Sequence, residues 1–196
     1  ERKGIFTIKQ LSYTFNPRKR GKRVRTTDNP YYPALQALAI RDQKVYLYNT
    51  IDLPLNKTRV FIDVEGDSDG NFIYLIGLLV VENNEEKTYS FWADSKEDEK
   101  KIISEFIKVL FELKRPHIFY YGKYEWRLFK RIISSQNINS DVISLLYYQS
   151  TNLLDVIYTN IYFPTYSYSL KDIGNYLSFK WTSQNASGIQ SIVWRK

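Results

Sequence analysis

Between residues 58 and 134 the spacing of hydrophobic and polar positions sets out a run of strands and helices. Arg59-Val60-Phe61-Ile62-Asp63-Val64-Glu65 is rich in β-formers and turns acidic toward its end, which predicts a buried strand over 59–65. Phe72–Val81 is almost wholly apolar and predicts a second strand, with Gly77 marking a bulge or a close approach. Asn83-Asn84 suits a tight turn, and alternation over Lys87–Trp92 predicts a third strand, so the three form an antiparallel meander. Ser95 ahead of Glu97, Asp98 and Glu99 marks a helix start. That helix gathers Ile103, Phe106, Ile107, Leu110 and Leu113 on one face and covers the sheet. Pro116 stops it, and His117–Tyr121 reads as a short buried strand. A strand reached through a helical crossover pairs parallel with the first. After a turn at Gly122-Lys123, Tyr124–Ile133 predicts an amphipathic helix with Trp126, Phe129 and Ile133 inward. Further helices are expected at about 151–160 and over 168–177. The fold class is therefore α/β, a mixed sheet of three antiparallel strands plus a parallel one, flanked by helices.

The N-terminal part reads differently. Thr7 with Gln10 forms a capping box and starts a short helix, either a helix-hairpin-like element that meets a phosphate backbone or a plain packing helix. Asn16-Pro17 ends it, and Arg18, Lys19, Arg20, Lys22, Arg23 and Arg25 then crowd around Gly21. Such a run is a solvated tail or a contact that binds phosphates without reading sequence. Ala34–Ile40 suits a short helix, Lys44–Tyr48 a strand, and Asp52–Asn56 a linker. The expected division is a basic N-terminal segment, 1–58, and a main domain, 59–196.

Charge sharpens that division. Residues 1–58 carry 12 Lys/Arg against 4 Asp/Glu, and the remainder 16 against 17, so the net charge of +7 belongs to the first segment. A basic arm beside an acidic pocket suits a polyanionic partner, here nucleic acid. The absence of cysteine excludes disulfides, zinc-thiolate sites and thiol nucleophiles, and fits a reducing, cytoplasmic setting. One histidine, His117, argues against His-based metal sites and a Ser-His-Asp triad. No apolar run is long enough to span a membrane, and no signal peptide is visible. The chain opens on Glu1 and contains no methionine, so it reads as a piece of a longer parent with further domains as partners.

The candidate chemistry lies in the carboxylates. Asp63 and Glu65 are two apart on a strand and share a face. Side by side they repel and lose hydration, a conflict that a hard divalent ion such as Mg²⁺ or Mn²⁺ resolves. The plain alternative is a strand end entering an acidic turn at Gly66–Asn71. Glu125 follows the parallel strand and belongs at the same edge of the sheet, where α/β sites gather. A third acid there completes the shell for two ions, which activate a water, stabilise the leaving oxygen and offset phosphate charge. Asp155 is a fourth candidate ligand or a helix N-terminal acid, and Asp172, behind Ser169, reads as a first-turn acid. Lys123 and Tyr124 are candidate nucleic-acid contacts beside the basic arm. Tyr121, Tyr124 and Trp126 either stack on bases or pack in the core. Asp67-Ser68-Asp69-Gly70-Asn71 has the look of a calcium loop but lacks the distal Glu such a loop requires.

Several motifs together resemble the YprB-type ribonuclease H-like domain of RecB-like nucleases. They are Val60–Asp67, Tyr74–Leu79, Phe91–Asp94 and Tyr121–Glu125, extended by Leu153–Asp155, Phe163-Pro164, Tyr168–Asp172, Ala186–Trp194 and, at the start, Lys3–Thr7 with Gln10–Tyr13. The domain is similar to DEDD 3′–5′ exonucleases, and the resemblance implies a metal-dependent nuclease, acting on DNA ahead of RNA. By that likeness Asp63 and Glu65 match the first motif, and Glu125 stands where the second has Asp. The third motif, a Tyr-Asn-x-x-Asp type segment, is absent and is expected beyond Trp194, along with the last metal ligand. The other reading is a non-catalytic nucleic-acid-binding or scaffold module of a larger nuclease.

Overall fold

A computed structural model describes residues 4–16, 31–54, 56–67, 72–135 and 138–180. In chain order the elements are α1 (Ile8–Ser12), α2 (Pro33–Asp42), β1 (Tyr46–Leu47), β2 (Thr58–Gly66), β3 (Ile73–Glu82), β4 (Glu85–Trp92) and α3 (Glu99–Glu112). They continue with β5 (His117–Tyr120), α4 (Tyr124–Ile133), α5 (Ser140–Tyr148), β6 (Ser150–Asn152), α6 (Leu153–Asn160), β7 (Ile161–Tyr162) and α7 (Leu170–Tyr176). The chain forms two compact units, Leu53–Leu153, and Glu1–Asp52 together with Leu154–Lys196.

The Leu53–Leu153 unit is built on a five-stranded sheet in the order β4-β3-β2-β5-β6. β2 pairs antiparallel with β3 and β3 with β4, while β5 runs parallel to both β2 and β6. The expected mixed sheet is therefore present, with β6 as an additional edge strand. Asn83 and Asn84 both take left-handed φ, 51° and 67°, and Glu82 faces Glu85 across the two-residue turn. Asn tolerates that conformation better than most residues, which is why the pair marks a hairpin. Gly77, in contrast, makes no bulge. It stays in register opposite Asp63 on one side and Ser90 on the other. The irregularity falls instead between Glu65 and Gly66, at the acidic end of β2.

One face of β2 supplies Val60, Ile62 and Val64 to the core. They meet Ile76, Leu78 and Val80 from β3, Ile102, Phe106 and Leu110 from α3, and Leu128, Phe129 and Ile132 from α4. Each such side chain contributes about 1.5–3 kcal/mol by leaving water. α3 starts as expected: Ser95 and Asp98 form a reciprocal capping box, through a 3-10 turn at Lys96–Asp98. Its buried stripe is Ile102, Phe106 and Leu110, with Ile103, Ile107 and Leu113 partly buried beside it. α4 has the expected bounds but a rotated inner face. Leu128, Phe129 and Ile132 are buried, and Trp126 and Ile133 lie at the margin of the core. Periodicity admits either stripe, and the position of the sheet selects one.

In the second unit, α1 carries the expected capping box. Thr7 Oγ1 accepts from the Gln10 N–H at 3.1 Å and Gln10 Oε1 from the Thr7 N–H at 3.1 Å. α2 begins on Pro33, whose missing N–H costs nothing at a first-turn position. Leu35 and Ala39 of α2 pack on Tyr162, and β1 pairs antiparallel with β7. Gln36 ties segments 127 and 129 positions away by donating to the carbonyls of Phe163 and Thr165, and it accepts from the Tyr168 hydroxyl. No described helix is long and apolar enough to cross a membrane.

Candidate functional site

β2 presents two carboxylates on one side because its neighbours Val60, Ile62 and Val64 point to the other. Asp63 keeps part of its surface exposed and Glu65 is half-buried. Burial nevertheless raises the Asp63 pKa, against a Val64 backbone hydrogen bond that lowers it. The Glu65 pKa is raised too, first by burial and then by the charge of Asp63.

The third carboxylate comes from the first turn of α4. Glu125 is 5% exposed, and its Oε2 is buried with no hydrogen-bond partner. Burial pushes its pKa up to about 7, helped by the charges of Asp63 and Glu65 and opposed by a backbone hydrogen bond at its own amide. A buried carboxylate oxygen without a donor is costly when ionised. The β5–α4 turn sets this position. Gly122 takes φ +111°, a conformation that favours glycine, and its N–H donates to Asn152 Oδ1 at 2.9 Å.

Tyr124 packs its ring tip over Gly66. A Cβ on Gly66 would lie 2.0 Å from Tyr124 Oη and 2.6 Å from the Phe72 carbonyl. The Tyr124 hydroxyl is buried and has no partner. Its pKa is raised by burial first, then by the charges of Asp67, Glu65 and Tyr74, with Arg127 opposing. Asp67 closes the turn after β2: its N–H donates to Phe72 O at 2.9 Å and its Oδ1 accepts from the Phe72 N–H at 3.1 Å. That gives Asp67 a structural task. The rest of the calcium-loop segment, 68–71, lies outside the described residues.

The structure thus brings Asp63 and Glu65 close enough for their charges to raise the Glu125 pKa, and Asp63 close enough to raise that of Glu65. It does not gather them further: among the described residues no group of three His, Cys, Asp or Glu side chains is placed to hold one ion. The donor set itself, carboxylate oxygens with one of them orphaned, suits a hard divalent cation.

The remaining expected site residues lie on other elements. Asp155 sits in the first turn of α6, whose residues from Leu154 onward belong to the other unit. Asp172 lies in the first turn of α7, its N–H donating to Ser169 Oγ at 3.0 Å and its carboxylate accepting from Ser167 Oγ. Lys123 is exposed at the N-cap of α4. Trp126 packs rather than projects: its ring is parallel to Tyr120 at 6.5 Å, edge-on to Phe129 at 6.3 Å, and 5.8 Å from Tyr147. Arg18, Lys19, Arg20, Lys22, Arg23 and Arg25 lie outside the described residues, as does the segment Ala186–Trp194. Sequence reading missed Asn152 and the packing of Tyr124 on Gly66. The first has no local signal, and the second needs α4 and β2 in place.

Residues 60–196 match the family model RNase_H_2, described as RNase_H superfamily. No curated protein and no solved structure matches the chain. The sheet order and the matched span agree, and the chain belongs to the RNase H superfamily.

Proposed function

We propose that the domain over residues 59–196 is a metal-dependent nuclease that hydrolyses phosphodiester bonds in nucleic acid, trimming 3′ ends in the manner of DEDD exonucleases. The observation that carries this reading is the orphaned, buried Oε2 of Glu125 beside the acidic end of β2. Asp63 and Glu65 would hold Mg²⁺ or Mn²⁺, with Glu125 as the third carboxylate. When bound, such ions supply Lewis acidity and counter-charge to the scissile phosphate. The chain's own residues then have distinct tasks. The carboxylates concentrate cations at the strand end. The half-buried setting of Glu65 keeps part of the site from water, which strengthens charge interactions there. Lys123, exposed at the start of α4, and the basic residues Arg18–Arg25 would hold phosphates without selecting sequence.

A second reading has its own support. The three carboxylates are not gathered to ligand distance among the described residues, which favours a non-catalytic nucleic-acid-binding module. The two separate in one experiment on end-labelled single- and double-stranded DNA and RNA with Mn²⁺. The nuclease reading expects wild-type cleavage that Asp63→Asn lowers by roughly three orders of magnitude while binding stays within about twofold, as for loss of a ligand to catalytic metal. Unchanged cleavage by that variant rejects the site. Binding that falls steeply with salt, with no cleavage at any metal concentration, supports the module instead.

A further inference from the structure

Glu99 is a second buried acid of the Leu53–Leu153 unit, 6% exposed, and both its oxygens are engaged. Oε1 accepts from the Ile73 N–H at 2.7 Å. Oε2 accepts from Arg131 Nη2 at 2.7 Å. The partners' positions matter. Ile73 opens β3 and faces Gly66 in the register, beside the acidic end of β2. Arg131 lies in the last turn of α4, whose first turn carries Glu125. Glu99 itself lies in the first turn of α3. One carboxylate therefore joins three elements by charge-assisted hydrogen bonds, which are short and directional.

Apolar packing alone does not explain this arrangement. Leu128, Phe129 and Ile132 hold α4 against the core, but such contacts are non-directional and tolerate small slides along the helix axis. A paired, buried carboxylate does not. Arg131 is six residues beyond Glu125, about 9 Å along a helix that moves as a rod. A shift at one end of that rod is a shift at the other.

We propose that Glu99 and Arg131 are positioning residues for the carboxylate site: a strut from the start of β3 to the end of α4 that sets how near Glu125 comes to Asp63 and Glu65. The inference rests on the metal reading of that site and adds residues to it. Among the described residues Arg131 makes no hydrogen bond or ion pair with any of the three carboxylates, so its effect on them passes through the helix.

The test uses the full chain and Mn²⁺ alone. Arg131→Met keeps much of the aliphatic stem and leaves the Glu99–Ile73 bond in place. Mn²⁺ affinity is measured by calorimetry well below each variant's Tm, together with amide exchange across α4 and α5. Arg131→Met is expected to weaken Mn²⁺ binding about tenfold, in the range found for groups that orient metal ligands. It should also speed exchange in α4 and not in α5. Arg131→Lys, which keeps the charge, should recover most of the affinity. If Arg131→Met does not fold, Arg131→Gln is read by the same criteria. A lower Tm with wild-type Mn²⁺ affinity overturns the strut while leaving the metal site standing. A wild-type chain that binds no Mn²⁺, or binds it equally after Asp63→Asn, overturns the metal reading and the strut's role with it.

Discussion

Glu99 and Glu125 are shielded from water almost equally, at 6% and 5% exposure, and each stands in the first turn of a helix in the same unit. Their surroundings differ completely. Glu99 meets an amide and a guanidinium, one for each oxygen. Glu125 leaves Oε2 without a donor and faces the charges of Asp63 and Glu65. Burial by itself therefore says little about function. What separates these two acids is whether the protein supplies the donors that an ionised carboxylate needs.

The comparison breaks most visibly through the satisfied acid. Glu99→Ala removes two charge-assisted bonds and leaves the Ile73 N–H without its acceptor, so a loss of about 4 kcal/mol is expected in urea unfolding. A loss under about 1 kcal/mol would mean the pair is ornamental. Next comes the contact that seats α4 at the end of β2. Gly66→Ala places a methyl 2.0 Å from Tyr124 Oη and 2.6 Å from Phe72 O, and should cost roughly 3 kcal/mol through overpacking. Adding Tyr124→Phe removes the nearer atom but not the backbone carbonyl, so it should restore only part. Full restoration, or none, would show that the packing is misplaced.

The smallest expected effect belongs to Glu125, and its sign is opposite. Its folded pKa of about 7 lies above its ordinary value of 4.5. The folded state thus holds that proton more tightly than the unfolded one. This contribution is complete below pH 4.5 and is lost as pH rises toward about 7. Asp63 and Glu65 are raised in the same direction and add to the slope. In chelator, Glu125→Gln should flatten the pH dependence. At about pH 8 it should make the chain more stable than wild type by about 2 kcal/mol, after allowance for solvent screening. A gain at pH 8 that Mn²⁺ reverses would tie the strain to the metal reading. An unchanged slope would place the strain elsewhere.

Much of this architecture can be read along the chain. The Thr7–Gln10 and Ser95–Asp98 capping boxes, the Asn83-Asn84 hairpin and the bounds of α4 all follow from local chemistry, which acts within a few residues. The strand β2 and its two outward acids follow from alternation. Other parts are silent in the sequence. β6 is three polar residues, Ser150–Asn152, with no apolar rhythm, and it is a strand because β5 offers an open parallel edge. The inward stripe of α4 was expected at Trp126, Phe129 and Ile133 and is instead Leu128, Phe129 and Ile132, because the sheet chooses which flank of the helix it covers. Glu99 looks like an ordinary first-turn acid until α4 and β3 arrive on either side of it.

The order of residues alone determined which carboxylates share a strand face, where helices begin and that the positive charge gathers in the first 58 residues. These depend on interactions between near neighbours and on counting. The tertiary structure decided which acid is satisfied and which is left wanting, since donors such as the Ile73 amide and Arg131 lie 26 and 32 positions from Glu99. Hydrogen bonds act over about 3 Å, and only folding brings such distant groups within that reach.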